Sequence, residues 1–114
     1  MNSIAELKHR VFAEYTFFKD YWLQQSKEDI FNSAYKIRFY TNVDDFIHYL
    51  DKDTFLEPEY VECLLKDNGN VLSCLWDYFL KCEYASVETY DDTRDLIENY
   101  CEKYYKEDLK NGRI

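Results

Sequence analysis

Glycine and proline are nearly missing from this chain. Of its 114 residues, only Gly69 and Gly112 are glycine and only Pro58 is proline. A strand-and-turn architecture places these residues at most of its corners, so their scarcity argues against a sandwich or barrel. It also argues against a glycine-rich loop that wraps phosphate in backbone N–H groups. No apolar run approaches the ~20 residues that a membrane-spanning helix needs. The start, Met1-Asn2-Ser3-Ile4, has no basic segment followed by an apolar one. A secretory signal is therefore not expected, and a cytoplasmic protein is.

Residues that carry chemistry are also few. Neither of the two histidines, His9 and His48, stands in a nucleophile–base frame. His9 reads as an exposed residue of the first helix. His48 reads as a partly buried structural residue between Ile47 and Tyr49. The cysteines Cys63, Cys74, Cys82 and Cys101 form no C-x-x-C pair and lie far from both histidines, which does not suit zinc. They read as four reduced, buried, small apolar side chains. Adjacent carboxylates such as Glu28-Asp29 and Asp91-Asp92 point about 100° apart on a helix and do not converge on one substrate atom. Asp51-x-Asp53 lacks the glycine and later glutamate of a calcium loop. The expectation is a protein that is not an enzyme and carries no metal or cofactor.

What the chain does have is helical periodicity. Ile4, Leu7, Val11, Tyr15, Phe18 and Trp22 recur in steps of three and four, which predicts a long helix over 4–24. Ser3 and Glu6 have the spacing of a capping box at its start. Ser26 with Asp29 marks a second helix that ends near Tyr40. Thr41 with Asp44 offers a further cap, unless the two pieces run on as one bent helix. Residues 51–56 read as a loop. Pro58 suits the first position of the next helix, where its missing N–H costs nothing. Asn68-Gly69 reads as its stop, and Asn70 as the cap of an apolar helix carrying Leu72, Leu75, Trp76 and Phe79. Residues 83–86 read as a connection, and a last helix is expected over 87–107. The fold class predicted is all-α: a compact single domain of five to six helices over 1–110, with 111–114 as a frayed tail.

Charge is the second positive feature. The formal net charge is −9, from 23 acidic and 14 basic residues. Residues 1–43 carry a net +1, residues 44–67 a net −6 and residues 83–108 a net −6. Free nucleic acid and anionic membranes repel such a chain, so neither is expected as a partner. If the two acidic blocks share a face, that face imitates duplex phosphates and fits a basic nucleic-acid groove. The plainer alternative is two solvated helix faces. The candidate partner-binding residues are Asp44, Asp45, Asp51, Asp53, Glu57 and Glu59, with Glu88, Asp91, Asp92 and Asp95 as a second group. Twelve tyrosines accompany these acids, either as rigid contact surface or as filler between core and water.

One likeness rests on named residues. Phe12-Ala13-Glu14-Tyr15, Phe18, Trp22-Leu23, Glu28-Asp29-Ile30, Asn32 and Ala34-Tyr35 are followed by Leu64-Leu65-Lys66, Leu75-Trp76-Asp77 with Phe79, and Tyr90-Asp91-Asp92 with Arg94-Asp95 and Ile97-Glu98. This order resembles a family of small proteins of unknown function on mobile genetic elements of Gram-positive gut bacteria. The likeness runs from about Leu7 to Glu102 and departs around Thr41–Tyr60. It implies a helical fold, a mobile-element or phage setting and no catalytic residue. By analogy, small acidic proteins of that setting are counter-defence proteins, anti-CRISPR proteins among them. The expected function is thus inhibition of a Cas9-like CRISPR nuclease by DNA mimicry. The alternative is a non-catalytic helical adaptor or regulator that works through protein–protein contacts.

Overall fold

Helix boundaries in the computed structural model follow local chemistry closely. It describes residues 3–50, 55–66, 69–83 and 85–110, with side chains as far as Tyr105. Among them are six α-helices: α1 (Ser3–Leu23), α2 (Lys27–Asn32), α3 (Ala34–His48), α4 (Pro58–Lys66), α5 (Val71–Leu80) and α6 (Tyr90–Lys110). The protein is an all-α single domain. The loop expected over 51–56 falls mostly, and the frayed tail wholly, outside the described residues, as does Asn68 of the expected helix stop.

The Ser26 hydroxyl caps α2 by accepting the Asp29 N–H at 3.1 Å. The Asn70 side chain caps α5 through the Ser73 N–H at 2.8 Å. Pro58 opens α4, as its fixed φ favours. Two expected boundaries move. The break comes at Ser33 rather than Tyr40, and α3 runs unbroken through Thr41. Thr41 does not cap a helix; its hydroxyl bonds back to the Ile37 carbonyl at 2.8 Å, which an interior helical threonine does without ending the helix. The last helix begins at Tyr90, later than expected, because the Thr89 hydroxyl accepts the Asp92 N–H and caps it there. Ser3 is turned to other use, its hydroxyl donating to the Glu62 carboxylate of α4.

α1 packs on α3, α4 and α5, and α6 packs on α3, α4 and α5 from elsewhere on the molecule. The core lies where these helices meet. Leu7 and Val11 of α1 meet Phe39, Val43, Phe46 and Ile47 of α3, Val61 and Leu64 of α4, Leu72 and Leu75 of α5, and Ile97 of α6. Each fully buried large side chain contributes about 1.5–3 kcal/mol of transfer free energy. Aromatic rings extend this core. Phe39 lies 4.8 Å from Phe79 and 5.1 Å from Trp76, and Tyr100 lies 5.6 Å from Tyr78, distances at which ring pairs attract. Cys63 and Cys101 are buried as expected, whereas Cys74 and Cys82 are only half-buried, at the α5 margin. His48 is exposed, not partly buried as its apolar neighbours suggested. It sits on the outer side of α3, opposite the stripe of Val43, Phe46 and Ile47.

Candidate partner-binding surface

Backbone groups at helix ends need partners, and three charged side chains of α1 supply them near the ends of α3 and α4 and at the start of α5. Lys8 Nζ donates to the Leu50 carbonyl at 2.8 Å, just beyond α3. Arg10 donates to the Leu65 carbonyl in the last turn of α4 at 3.1 Å, and to the Gly69 carbonyl at 2.5 Å. The Glu14 carboxylate accepts the Val71 and Leu72 N–H groups at 3.0 and 2.9 Å, beside the Asn70 cap. A carboxylate at a helix N-terminus is stabilised by both the free N–H groups and the helix dipole. Arg10 and Glu14 also pair with each other at 3.6 Å. Lys8, Arg10 and Glu14 of the near-neutral first part of the chain thus serve the fold.

The acids of the later blocks behave otherwise. Two hydrogen bonds donated by tyrosine cross between the blocks. Tyr60 of α4 donates to Glu102 Oε1 of α6 at 3.0 Å, and Tyr90 of α6 donates to Asp45 Oδ2 of α3 at 2.9 Å. Glu57 and Glu59 share a hydrogen bond between their carboxyl groups, which raises the Glu59 pKa above the ordinary range. The charge of Glu98 adds to that rise. Glu98 itself is raised, first by burial and then by Asp95, Glu102 and Glu57, against the lowering pull of Arg94. The Tyr60 hydroxyl is held protonated by burial first and by its bond to Glu102 second. Glu57, Glu59, Glu98 and Glu102 therefore form one mutually repelling group along the α4–α6 seam. The ion pairs Arg10–Glu14, Arg38–Glu88 and Arg94–Asp91 leave this quartet out.

The expected site residues divide accordingly. Glu57 and Glu59 belong to the quartet. Asp45 is exposed and anchored by Tyr90. Asp44 is half-buried, and burial first of all raises its pKa to about 6, with Asp45 adding to the rise and His48 opposing it. Glu88 is taken up by Arg38, which bridges α3 to the segment before α6. Asp91 pairs with Arg94 at 3.0 Å. Asp92 and Asp95 line a hollow of about 360 Å³ together with Tyr78, Ser86 and Asn99. Asp51 and Asp53 lie outside the described residues. Glu98, Glu102, Tyr60 and Tyr90 are the members that sequence reasoning did not select. A signal for two of them was present: Asp91, Asp95, Glu98 and Glu102 follow a 4-3-4 spacing, which places them along one helical stripe.

Among the described residues, no three His, Cys, Asp or Glu side chains converge as metal ligands, and no helix is long and apolar enough to cross a membrane. Compared with protein-family models, curated proteins and solved structures, the chain has no significant match.

Proposed function

We propose that this protein is a non-catalytic inhibitor that sets its acidic α4–α6 seam into the basic nucleic-acid groove of a nuclease. A Cas9-like CRISPR effector is the first target to try. The observation that carries this reading is the meeting of the two acidic blocks, joined by Tyr60–Glu102 and Tyr90–Asp45. Crowded carboxylates gain from a cationic partner, which relieves their repulsion on binding; the neighbouring acids help to raise the pKa of Glu59 and, after burial, that of Glu98. The mobile-element setting implied by the family resemblance agrees with a counter-defence role.

The test is cleavage of target DNA by a panel of guide-loaded Cas9 proteins, with and without the purified protein, at low and high salt. Dose-dependent protection that weakens with salt is expected, because exposed charge pairs are screened. The variant Glu57→Lys/Glu59→Lys/Glu98→Lys/Glu102→Lys is expected to lose inhibition by more than about tenfold while keeping its helical signal. A folded variant that still inhibits would overturn the mechanism.

A second reading, a helical adaptor of a mobile element, is favoured by the exposed aromatic residues of α1, with Phe17 80% and Tyr21 53% accessible. Binding through those residues is expected to be nearly indifferent to salt, which separates the two readings.

A further inference from the structure

Three tyrosines meet between α5 and α6. Tyr100 and Tyr104 are four residues apart and so lie on one face of α6, and Tyr78 reaches them from α5. Ring centroids lie 5.6 Å apart for Tyr78–Tyr100, 6.0 Å for Tyr78–Tyr104 and 5.1 Å for Tyr100–Tyr104. No pair is a flat stack, since the planes cross at 69°, 79° and 53°. Ring faces are therefore left open, and the chain's own Lys103 uses two of them. Its Nζ lies 5.9 Å from the Tyr78 centroid and 5.8 Å from that of Tyr104, inside the ~6 Å at which a ring face attracts an ammonium. The same three rings line a hollow of about 160 Å³, which Cys74, Asp77 and Lys81 complete. Tyr100 is buried and Tyr78 half-buried, so packing holds two of the three rings in place. Lys81 and Asp77, four residues apart, offset each other's charge, and Glu102 adds a negative charge near the Tyr78 ring.

We propose that this tyrosine cluster is a binding site for a quaternary ammonium group, the trimethylammonium head of choline being the simplest example. Size limits the ligand first. Pockets for whole drug-sized molecules enclose ~300–1,000 Å³, so a hollow of about 160 Å³ takes a single head group. The sign of its charge follows from Lys103, because a cation already rests on these rings. Alkylation follows from hydration. A primary ammonium is a compact, strongly hydrated charge that gives up water reluctantly, and Lys103 already supplies one. A trimethylammonium carries the same charge behind methyl groups, which bury apolar surface against the rings as they approach. Lys103 is exposed, so its ammonium returns to water at little cost when the ligand displaces it.

The experiment is a titration of the full, isotope-labelled chain with choline to tens of millimolar, followed by nuclear magnetic resonance. Saturable shifts of the Tyr78, Tyr100 and Tyr104 resonances are expected, with the ligand's N-methyl protons moved upfield by the rings. The neutral alcohol that carries a tert-butyl group in place of trimethylammonium matches choline in shape and is expected to shift nothing. Tyr104→Leu is expected to weaken choline binding by about fivefold, the scale of one exposed cation–π contact. Asp77→Asn, at an exposed position, is expected to weaken it in the same direction, and Lys103→Gln to strengthen it by removing the resident cation. Absence of choline shifts at these tyrosines, equal binding of the neutral alcohol, or undiminished binding by a folded Tyr104→Leu chain would overturn the proposal. Nuclease inhibition is no part of this readout, so either reading can fail without the other.

Discussion

α1 and α6 are both 21 residues long, both pack on the same three helices, and treat charge in opposite ways. On α1, Lys8, Arg10 and Glu14 turn onto the ends of the chain's other helical segments and satisfy backbone groups there. On α6, Glu98 and Glu102 stay near Glu57, just before α4, and Glu59 of α4; the pKa of Glu59 is raised by Glu57 first and by Glu98 last, and that of Glu98 by burial first and then by its acidic neighbours. One helix turns its ions into architecture. The other holds acids close to further acids, with Arg94 pulling on Glu98 and Tyr60 donating to Glu102. A side chain with backbone partners is part of the fold, whereas an acid crowded by other acids keeps a repulsion that the fold does not remove.

The contrast can be broken hardest at Glu14. Glu14→Ala leaves the Val71 and Leu72 N–H groups without their acceptor and strips Arg10 of its ion pair. A loss of about 2–3 kcal/mol is expected in urea unfolding, because a buried donor left unpaired carries its full desolvation penalty. Asp44 sharpens the contrast from the acidic side. Its folded pKa, about 6, stands above the ordinary 3.8. Folding therefore favours the protonated form. The stabilisation is complete below about pH 4 and is lost as pH rises through 6. Asp44→Asn is expected to raise stability at pH 7 by about 1 kcal/mol, after allowing for the half-exposed position, and to change nothing at pH 4. Parallel urea titrations at the two pH values check the sign. The smallest effect is expected at Glu98. Glu98→Gln shifts unfolding by no more than about 0.5 kcal/mol, in the stabilising direction, since it removes a repelled charge. A clear destabilisation there would mean that α6 uses its acids as α1 does.

Much of the fold was legible because apolar periodicity, caps and the lone proline each act locally. Ser26, Pro58 and Asn70 mark their helix starts correctly. Thr41 misled because an interior threonine and a capping threonine look alike in sequence, and only the turn before it decides which carbonyl or N–H its hydroxyl meets. The site was legible as charge but not as geometry. The excess of acids in residues 44–67 and 83–108 was plain, yet which of them would meet depends on α4 and α6 lying side by side. Of the partner-binding candidates read from the sequence, Glu57 and Glu59 lie at the seam. Glu88 and Asp91 were not distinguishable from them, because Arg38 lies 50 residues from Glu88 and pairs with it only in the fold. Glu14 was invisible as a cap for the same reason: its partners lie more than 50 residues downstream.

That separation has a consequence during synthesis. Glu14 cannot reach the Leu72 N–H until 58 further residues have been added. At about 5–20 residues per second, the wait is on the order of 3–12 s. Helices in proteins owe most of their stability to packing, and this one carries Phe12, Phe17, Phe18, Tyr21 and Trp22. The nascent chain therefore holds these aromatic side chains before the helices that pack against α1 have been made. Ribosome-associated chaperones that hold aromatic segments are expected to matter more for the yield of this protein than its modest size suggests.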